Sequence, residues 1–131
     1  MIGGVPLREN EFAKVVVDAA LEIHKALGPG LLESVYQAVL AYELRQRGLQ
    51  VETEVSIPVV YGQVQIETAF RADLIVEGHL LIELKSVEQI NAIHKKQLLT
   101  YLRLSQLKLG LLINFNEELI KNGIHRVVNG L

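Results

Sequence analysis

The spacing of apolar residues changes near Gly48, and this change constrains the fold more than any other feature of the chain. Between residues 11 and 47, apolar side chains recur at helical spacing, which is typical of amphipathic helices. From Val51 onwards, apolar and polar side chains alternate, which is typical of a strand with one buried face. The sequence therefore predicts a mixed α/β fold in which helices precede strands.

Two helices are predicted before this change. The first covers residues 11–27 with Asn10 as its N-cap, and Gly28-Pro29-Gly30 ends it. The second covers residues 31–47, and Gly48 is well placed to close it, since glycine readily adopts a left-handed conformation. The predicted buried side of the second helix comprises Leu32, Val35, Tyr36, Val39, Leu40 and Leu44.

Three strands are predicted next, at residues 51–59, 64–76 and 80–85, with turns at residues 61–63 and 77–79. A three-residue loop is preferred for the second turn, because it sets Val76 opposite Leu80 and so matches apolar faces. The same register sets Leu74 opposite Ile82, Ala72 opposite Leu84, Asp73 opposite Glu83 and Arg71 opposite Lys85.

The last third of the chain adds a helix, from Val87 or Glu88 to Leu104, and a strand at residues 109–115 that is buried on both faces. Residues 124–128 form either a short edge strand or a last turn of helix. The order is α-α-β-β-β-α-β with an optional final strand, and it predicts one parallel crossover in an otherwise antiparallel sheet. No linker or repeat interrupts the sequence, so residues 1–131 are expected to form a single domain.

Charge and cysteine content narrow the class of protein. Thirteen Lys and Arg against fifteen Asp and Glu give a net charge of -2, which argues against a non-specific nucleic-acid coat protein. The charge is uneven, however, with a net of -6 in residues 1–83 and +4 in residues 84–131.

The chain has no cysteine, which excludes disulfides and thiolate metal sites and fits a reducing compartment. Short apolar runs and no visible signal peptide lead us to expect a cytoplasmic protein without a membrane span.

Three polar residues converge on the predicted hairpin. Asp73 lies opposite Glu83, and Lys85 projects from the same face as Glu83, two positions further along the strand. Two carboxylates this close repel each other unless a cation lies between them, and oxygen ligands suit Mg²⁺ or Mn²⁺. The alternative is that Arg71 and Lys85 neutralise the two acids in surface ion pairs.

Two helices contribute further candidates. Glu33 lies in the first turn of the second helix, where an acid favours the helix dipole, but its helix side also holds Tyr36 and suggests that it looks toward the core. On the helix after the third strand, Gln97 and Tyr101 are four positions apart and share a face, with His94 three positions before Gln97. The alternative for these three is a polar stripe beside a half-buried tyrosine.

This combination resembles the small GxxExxY family of the PD-(D/E)XK nuclease superfamily. Residues 30–36 have the form G-x-x-E-x-x-Y, Asp73 is followed ten positions later by Glu83-Leu84-Lys85, and Gln97-x-x-x-Tyr101 comes after them. The resemblance covers nearly the whole chain, from about Ala13 to Phe115, with five pieces in the right order. It implies a PD-(D/E)XK restriction-endonuclease-like core, in which helices flank a mixed β-sheet.

The resemblance also implies roles for the residues. Asp73 and Glu83 would bind Mg²⁺ or Mn²⁺ with the backbone carbonyl of Leu84, and Glu33 would complete the site. Lys85 would orient or deprotonate the attacking water. Gln97 would hold the site from the side. The residues expected to support the site or to contact the substrate are Tyr36, His94, Lys95, Lys96 and Tyr101.

The expected function is therefore a metal-dependent nuclease that hydrolyses phosphodiester bonds in nucleic acid, with DNA as the expected substrate. The alternative is a catalytically silent nuclease-fold domain that binds nucleic acid or a protein partner. Candidate phosphate contacts are Lys95, Lys96, Arg103, Lys108 and Arg71, although the lysines on the helix also fit a solvated helix face. A homodimer would enlarge the contact surface, because a lone small domain covers little of a duplex.

Overall fold

The computed structural model of the chain describes residues 7–130. The elements follow the predicted order α-α-β-β-β-α-β, and a short 3₁₀ helix and a fifth strand come after them. In chain order they are α1 (Leu7–Leu27), α2 (Glu33–Gln46), β1 (Val51–Tyr61), β2 (Val64–Val76), β3 (Leu80–Lys85), α3 (Ala92–Ser105), β4 (Leu109–Asn114), the 3₁₀ helix (Ile120–Gly123) and β5 (Ile124–Val128).

The five strands form one mixed sheet in the order β1-β2-β3-β4-β5. β3 and β4 are parallel and are joined by α3, while the other neighbouring strands pair antiparallel. The predicted single parallel crossover is therefore confirmed. Of the two alternatives for the last segment, the edge strand is right, because Ile124–Val128 pairs with β4.

Each face of the sheet packs on helices. Leu74, Ile82 and Leu84 belong to one core cluster with residues of α1 and α2. Leu81 and Leu112 belong to a second cluster with Leu98 and Leu102 of α3. Successive side chains of a strand point to opposite faces, so the acids that alternate with Leu74 and Ile82 lie on the α3 face.

Two helix starts differ from the prediction. α1 begins at Leu7, so Asn10 lies inside the helix, and its side-chain oxygen accepts a hydrogen bond from Arg126 instead of capping. α3 begins at Ala92, four or five residues later than predicted. Asn91 is its N-cap, since its Oδ1 accepts from the Ile93 N–H at 3.1 Å and makes a helix start there favourable.

α2 is shorter than predicted at both ends and has fewer buried residues. Tyr36, Leu40 and Leu44 are fully buried, as predicted. Leu32 is 74% exposed and Val35 is 37% exposed, so the prediction that they are buried is wrong. Leu32 precedes the helix with an extended backbone, which removes it from the helical face that the periodicity assumed.

The predicted register of the β2–β3 hairpin is correct but ends early. Val76 pairs with Leu80 and Leu74 pairs with Ile82. The predicted pairs beyond Leu74 do not form as ladder pairs, because the two strands separate there: these are Asp73 with Glu83, Ala72 with Leu84 and Arg71 with Lys85. The first half of β2 pairs with β1 alone, so residues 57–70 form a two-stranded arm. Within the described part of the chain, no helix is long and apolar enough to span a membrane.

Candidate active site

The side chains of Asp73 and Glu83 meet where β2 and β3 separate. The Leu84 N–H donates to Asp73 Oδ2 at 2.7 Å, and the Asp73 N–H donates to Glu83 Oε1 at 3.3 Å. Each carboxylate thus accepts a backbone N–H from the neighbouring strand, at the point where the β2–β3 ladder has ended. Within residues 7–130, no protein group donates a hydrogen bond to the other oxygen of either acid.

Burial disfavours the charge on both acids. Glu83 is only 7% exposed, and burial, followed by the negative charge of Asp73, raises the pKa of its carboxyl to about 8. Burial also raises the pKa of Asp73, and the Leu84 N–H opposes this effect. Two neighbouring acids that hold protons this readily would exchange them for a cation that neutralises both charges.

Lys85 is half-buried beside the two acids, and its positive charge opposes the rise in both of their pKa values. Within residues 7–130, however, no ion pair joins Lys85 to either acid. Arg71 is exposed and makes no ion pair with them either. The ion pairs by which Arg71 and Lys85 would neutralise the two acids are therefore not formed, and that alternative is wrong.

Glu33 reaches this end of the sheet from α2. Its Oε2 accepts a hydrogen bond from the Ser86 N–H at 3.3 Å, and its charge contributes to the raised pKa values of Asp73 and Glu83. Its side chain is exposed, so the prediction that it looks toward the core is wrong. Glu33 is the first residue of α2, and at that position it projects past the end of the helix toward β3.

The donor atoms suit a hard divalent cation. The candidate ligands are carboxylate oxygens, and Asp73 and Glu83 each keep one oxygen without a hydrogen bond within the described residues. Nowhere between residues 7 and 130 do three His, Cys, Asp or Glu side chains gather closely enough to hold a metal together. Asp73 and Glu83 are thus the two predicted ligands that already lie close together. Glu33 lies too far from them to complete a metal site in this arrangement.

Tyr36 lies in the core behind the site. Its hydroxyl donates to the Gly28 carbonyl at 2.6 Å and accepts from the Leu31 N–H at 3.1 Å. Its ring stacks on Phe115 with 4.3 Å between the ring centroids. Because Tyr36 is fully buried, it supports the loop before Glu33 and does not offer a surface to a substrate.

The other predicted residues lie on or near α3. Gln97 is exposed, and Tyr101 is half-buried with its ring stacked on Phe70 at 3.8 Å between centroids. Burial raises the pKa of Tyr101, and the charges of Glu83 and Asp73 add to this rise. His94 helps to cap α3, because its Nδ1 accepts from the Asn91 N–H at 3.1 Å. The candidate phosphate contacts are all exposed: Arg71, Lys95, Lys96, Arg103 and Lys108.

The sequence pattern did not indicate two residues that hold the end of β3. Ser86 follows Lys85 directly and contacts the loop before α2. Asn114 is fully buried, and its side chain accepts from the Val87 N–H at 3.1 Å and donates to the Val87 carbonyl at 2.9 Å. The one sequence signal for Asn114 is its position at the end of an otherwise apolar, buried strand, where a polar side chain needs hydrogen-bond partners.

A third residue without a sequence signal is Glu54. It lies on β1 between the pairs Thr53–Leu74 and Val55–Ala72, and so opposite Asp73. Its φ of 50° is unusual for a residue other than glycine, and its charge contributes to the raised pKa of Asp73. A cavity of about 520 Å³ lies beside Glu33. Residues 30–34, Ser86 and Asn116 line it.

Comparison with known proteins agrees with this geometry at the level of the fold. A family model described as the PD-(D/E)XK nuclease superfamily matches residues 10–127. A crystal structure of the protein SSO0001 is similar, with a TM-score of 0.58 and 24% identity. The alignment covers 95% of this chain but only 61% of that one, so the chain spans less than two thirds of its length. The comparison with curated proteins produced no significant match.

Proposed function

Since the chain belongs to the PD-(D/E)XK nuclease superfamily, we propose that it is a metal-dependent nuclease that hydrolyses phosphodiester bonds in nucleic acid, with DNA as the expected substrate. The observation that carries this proposal is the pair formed by half-buried Asp73 and buried Glu83: burial raises the pKa of both acids, and the charge of Asp73 raises that of Glu83 further. Membership of the narrower GxxExxY family is also a proposal, and it rests on the motif in residues 30–36.

The chemistry assigns a task to each side chain at the site. Asp73 and Glu83 would bind a divalent ion through their free oxygens, with the Leu84 carbonyl and Glu33 completing the ligands. When bound, such an ion stabilises the charge that develops on the phosphate and lowers the pKa of a coordinated water. Lys85 would hold the attacking water and place a positive charge beside the phosphate. Gln97 and Tyr101, on the α3 face, would border the substrate.

One observation favours the alternative of a catalytically silent domain that binds nucleic acid or a protein partner. No third acid stands close enough to Asp73 and Glu83 in the described part of the chain to complete a metal site without movement. We propose the enzyme in preference, because Glu33 is exposed and is already hydrogen-bonded to the residue after Lys85. A homodimer would enlarge the nucleic-acid contact, and sedimentation equilibrium would test for it.

The proposed nuclease activity is tested with a panel of single-stranded and double-stranded DNA and RNA in Mg²⁺ or Mn²⁺. Asp73→Asn, Glu83→Gln and Lys85→Ala should each lower cleavage by at least about 100-fold, since each removes a charge from the reacting centre. Glu67→Gln is the matched control, because Glu67 is an exposed acid on the β1–β2 arm, and it should cleave like the wild type.

Two results would decide against parts of this proposal, and a third would make a variant uninformative. Cleavage that survives in all three variants would identify a contaminating nuclease. A wild-type protein that binds nucleic acid but cleaves nothing with either ion would favour the silent domain. Loss of the circular-dichroism spectrum in a variant would show that the substitution affects folding, and its activity would then be uninformative.

A further inference from the structure

We propose that Ser86 is a positioning residue that fastens the loop before α2 to the end of β3 and thereby keeps the carboxylate of Glu33 at that end of the strand, where the metal site is proposed. This inference rests on the proposed function, because it concerns how Glu33 becomes a ligand. Ser86 is not part of the motif that suggested the site, and it directly follows Lys85.

The contacts of Ser86 support this role. Its backbone N–H donates to Glu33 Oε2 at 3.3 Å, and its Oγ donates to the Leu31 carbonyl at 2.8 Å. One residue therefore binds both the candidate ligand and the backbone two positions before it. These partners are 53 and 55 positions away in the sequence, so the contacts join two distant segments of the chain.

Leu31 is held from both sides as a result. Its N–H donates to the Tyr36 hydroxyl at 3.1 Å, and its carbonyl accepts from Ser86. The loop needs this support because Gly28 and Gly30 adopt positive φ values of 72° and 97°, and glycine leaves the backbone with wide conformational freedom. Tyr36 and Ser86 together restrict the path of the loop that leads to Glu33.

The start of α2 also needs support from outside the helix. The residue at the N-cap position of α2 is Leu32, and no side chain caps the helix there. A helix start without a side-chain cap frays more easily, and Glu33 is its first residue. The two hydrogen bonds that Ser86 donates do not satisfy the first N–H groups of the helix as a cap would, but they hold this turn from outside the helix.

Ser86 is itself held firmly enough to act in this way. The Lys85 carbonyl accepts from the Phe115 N–H at 2.9 Å, and both backbone groups of Val87 bind the Asn114 side chain. The residues on either side of Ser86 are thus tied to β4 and its end. One oxygen of Glu33 is occupied by the Ser86 N–H, which leaves the other to face a cation. Residues that orient a ligand in this way commonly change metal affinity by 10–100-fold.

The test is Mn²⁺ binding to the full chain, followed through the electron paramagnetic resonance signal of free Mn²⁺. Ser86→Ala removes the Oγ but keeps the N–H, and it should weaken Mn²⁺ binding roughly 10-fold. Ser86→Thr keeps the hydroxyl and should restore most of the affinity. Ser105→Ala is the matched control, since it removes a serine hydroxyl that also donates to a backbone carbonyl at 2.8 Å, and it should bind Mn²⁺ like the wild type.

A second measurement separates positioning from general stability. With a cleavable substrate, Ser86→Ala should lose activity at low Mn²⁺ and recover it at high Mn²⁺, because the site is weakened and not destroyed. The melting temperature without metal should stay close to that of the wild type, since Ser86 lies at the edge of the core. Tyr36→Phe removes the other contact to Leu31 and should weaken Mn²⁺ binding in the same way.

The outcomes distinguish this inference from the proposed function. If the wild type binds Mn²⁺ and Ser86→Ala binds it equally well, the positioning role is wrong and the nuclease proposal is unaffected. If the wild type binds no more Mn²⁺ than Asp73→Asn, the proposed metal site is wrong and the role of Ser86 fails with it. A lower melting temperature in Ser86→Ala with unchanged Mn²⁺ affinity would assign Ser86 to stability alone.

Discussion

At the scale of single residues, the environment of Glu83 links the site to the stability of the protein. Its pKa is about 8 in the folded protein, against an ordinary value of 4.5, because it is buried beside Asp73. The folded protein therefore binds this proton more tightly than the unfolded chain does. Stability is greatest with the proton bound, and it falls as the pH rises from 4.5 toward 8.

This linkage predicts that the metal-free protein loses stability between pH 6.5 and 8, by at most about 1.4 kcal/mol per pH unit from this group. Glu83→Gln should reduce the slope and raise the melting temperature at pH 8, since the amide carries no charge to bury. The measurement is thermal unfolding in EDTA at a series of pH values. His125, whose pKa is lowered by burial, acts in the opposite direction and mainly below its ordinary value of 6.5.

Glu67→Gln provides the control, because Glu67 is exposed and its loss should leave the pH profile unchanged. Asp73 also has a raised pKa, so any slope that its carboxyl contributes has the same sign as that of Glu83. An identical slope in the wild type and in Glu83→Gln would contradict the assignment of this pH dependence to Glu83.

At the scale of secondary-structure elements, side chains join neighbours where the regular ladder ends. Asp73 and Glu83 take over the backbone N–H groups between β2 and β3, and Asn114 binds the backbone of Val87 beyond the end of β3. The stack of Phe70 on Tyr101 joins the base of the β1–β2 arm to α3. Each of these contacts lies next to the candidate site, so the site depends on how the ends of the elements are fastened.

Asn114→Ala tests this dependence. The substitution leaves the N–H and carbonyl of Val87 without their partners and also removes the acceptor of the Asn116 N–H. We expect a loss of about 2–4 kcal/mol in the free energy of unfolding, measured by urea denaturation. Asn122→Ala, at an exposed position of the 3₁₀ helix, should cost less than about 0.5 kcal/mol. Equal costs for the two substitutions would show that the Asn114 contacts contribute little.

At the scale of the whole molecule, charge is distributed unevenly between two segments of the chain. The segment from residue 84 onwards carries a net charge of +4 and contains α3, β4 and β5, whereas residues 1–83 carry -6. Lys95 and Lys96 are exposed in the first turns of α3, close to Gln97. A net charge of -2 therefore does not oppose nucleic-acid binding, because the positive charge is concentrated in the C-terminal segment, which begins at the end of β3.

The double variant Lys95→Gln/Lys96→Gln should consequently weaken DNA binding. If each lysine neutralises one phosphate, the plot of log affinity against log salt should lose about 0.9 in slope per lysine, with a fall in affinity of about 10-fold or more at low salt. The measurement is fluorescence anisotropy over a salt series. Lys14→Gln/Lys25→Gln on α1, which covers the opposite face of the sheet, is the control and should bind like the wild type. Equal weakening by both pairs would indicate a general charge effect.

The order of the elements and the register of the central hairpin follow from the amino-acid sequence alone. Both follow from local patterns: a period of helical spacing before Gly48 and alternation after it. Matching the apolar faces was enough to place Val76 opposite Leu80 and to bring Asp73 to Glu83, because a shift of one residue would exchange the two faces. These patterns depend on residues that are close together in the sequence, so they can be recognised without knowledge of the rest of the molecule.

The arrangement of the ends of those elements depends instead on how the whole chain packs. The separation of β2 and β3 beyond Leu74, the exposure of Glu33 and the contact of Ser86 with Leu31 have no counterpart in any periodic pattern. The partners of Ser86 lie more than fifty positions away, and a serine looks the same in sequence whether it binds them or water. Hydrogen bonds between distant segments depend on how the helices pack on the sheet, and packing is settled by the whole chain at once.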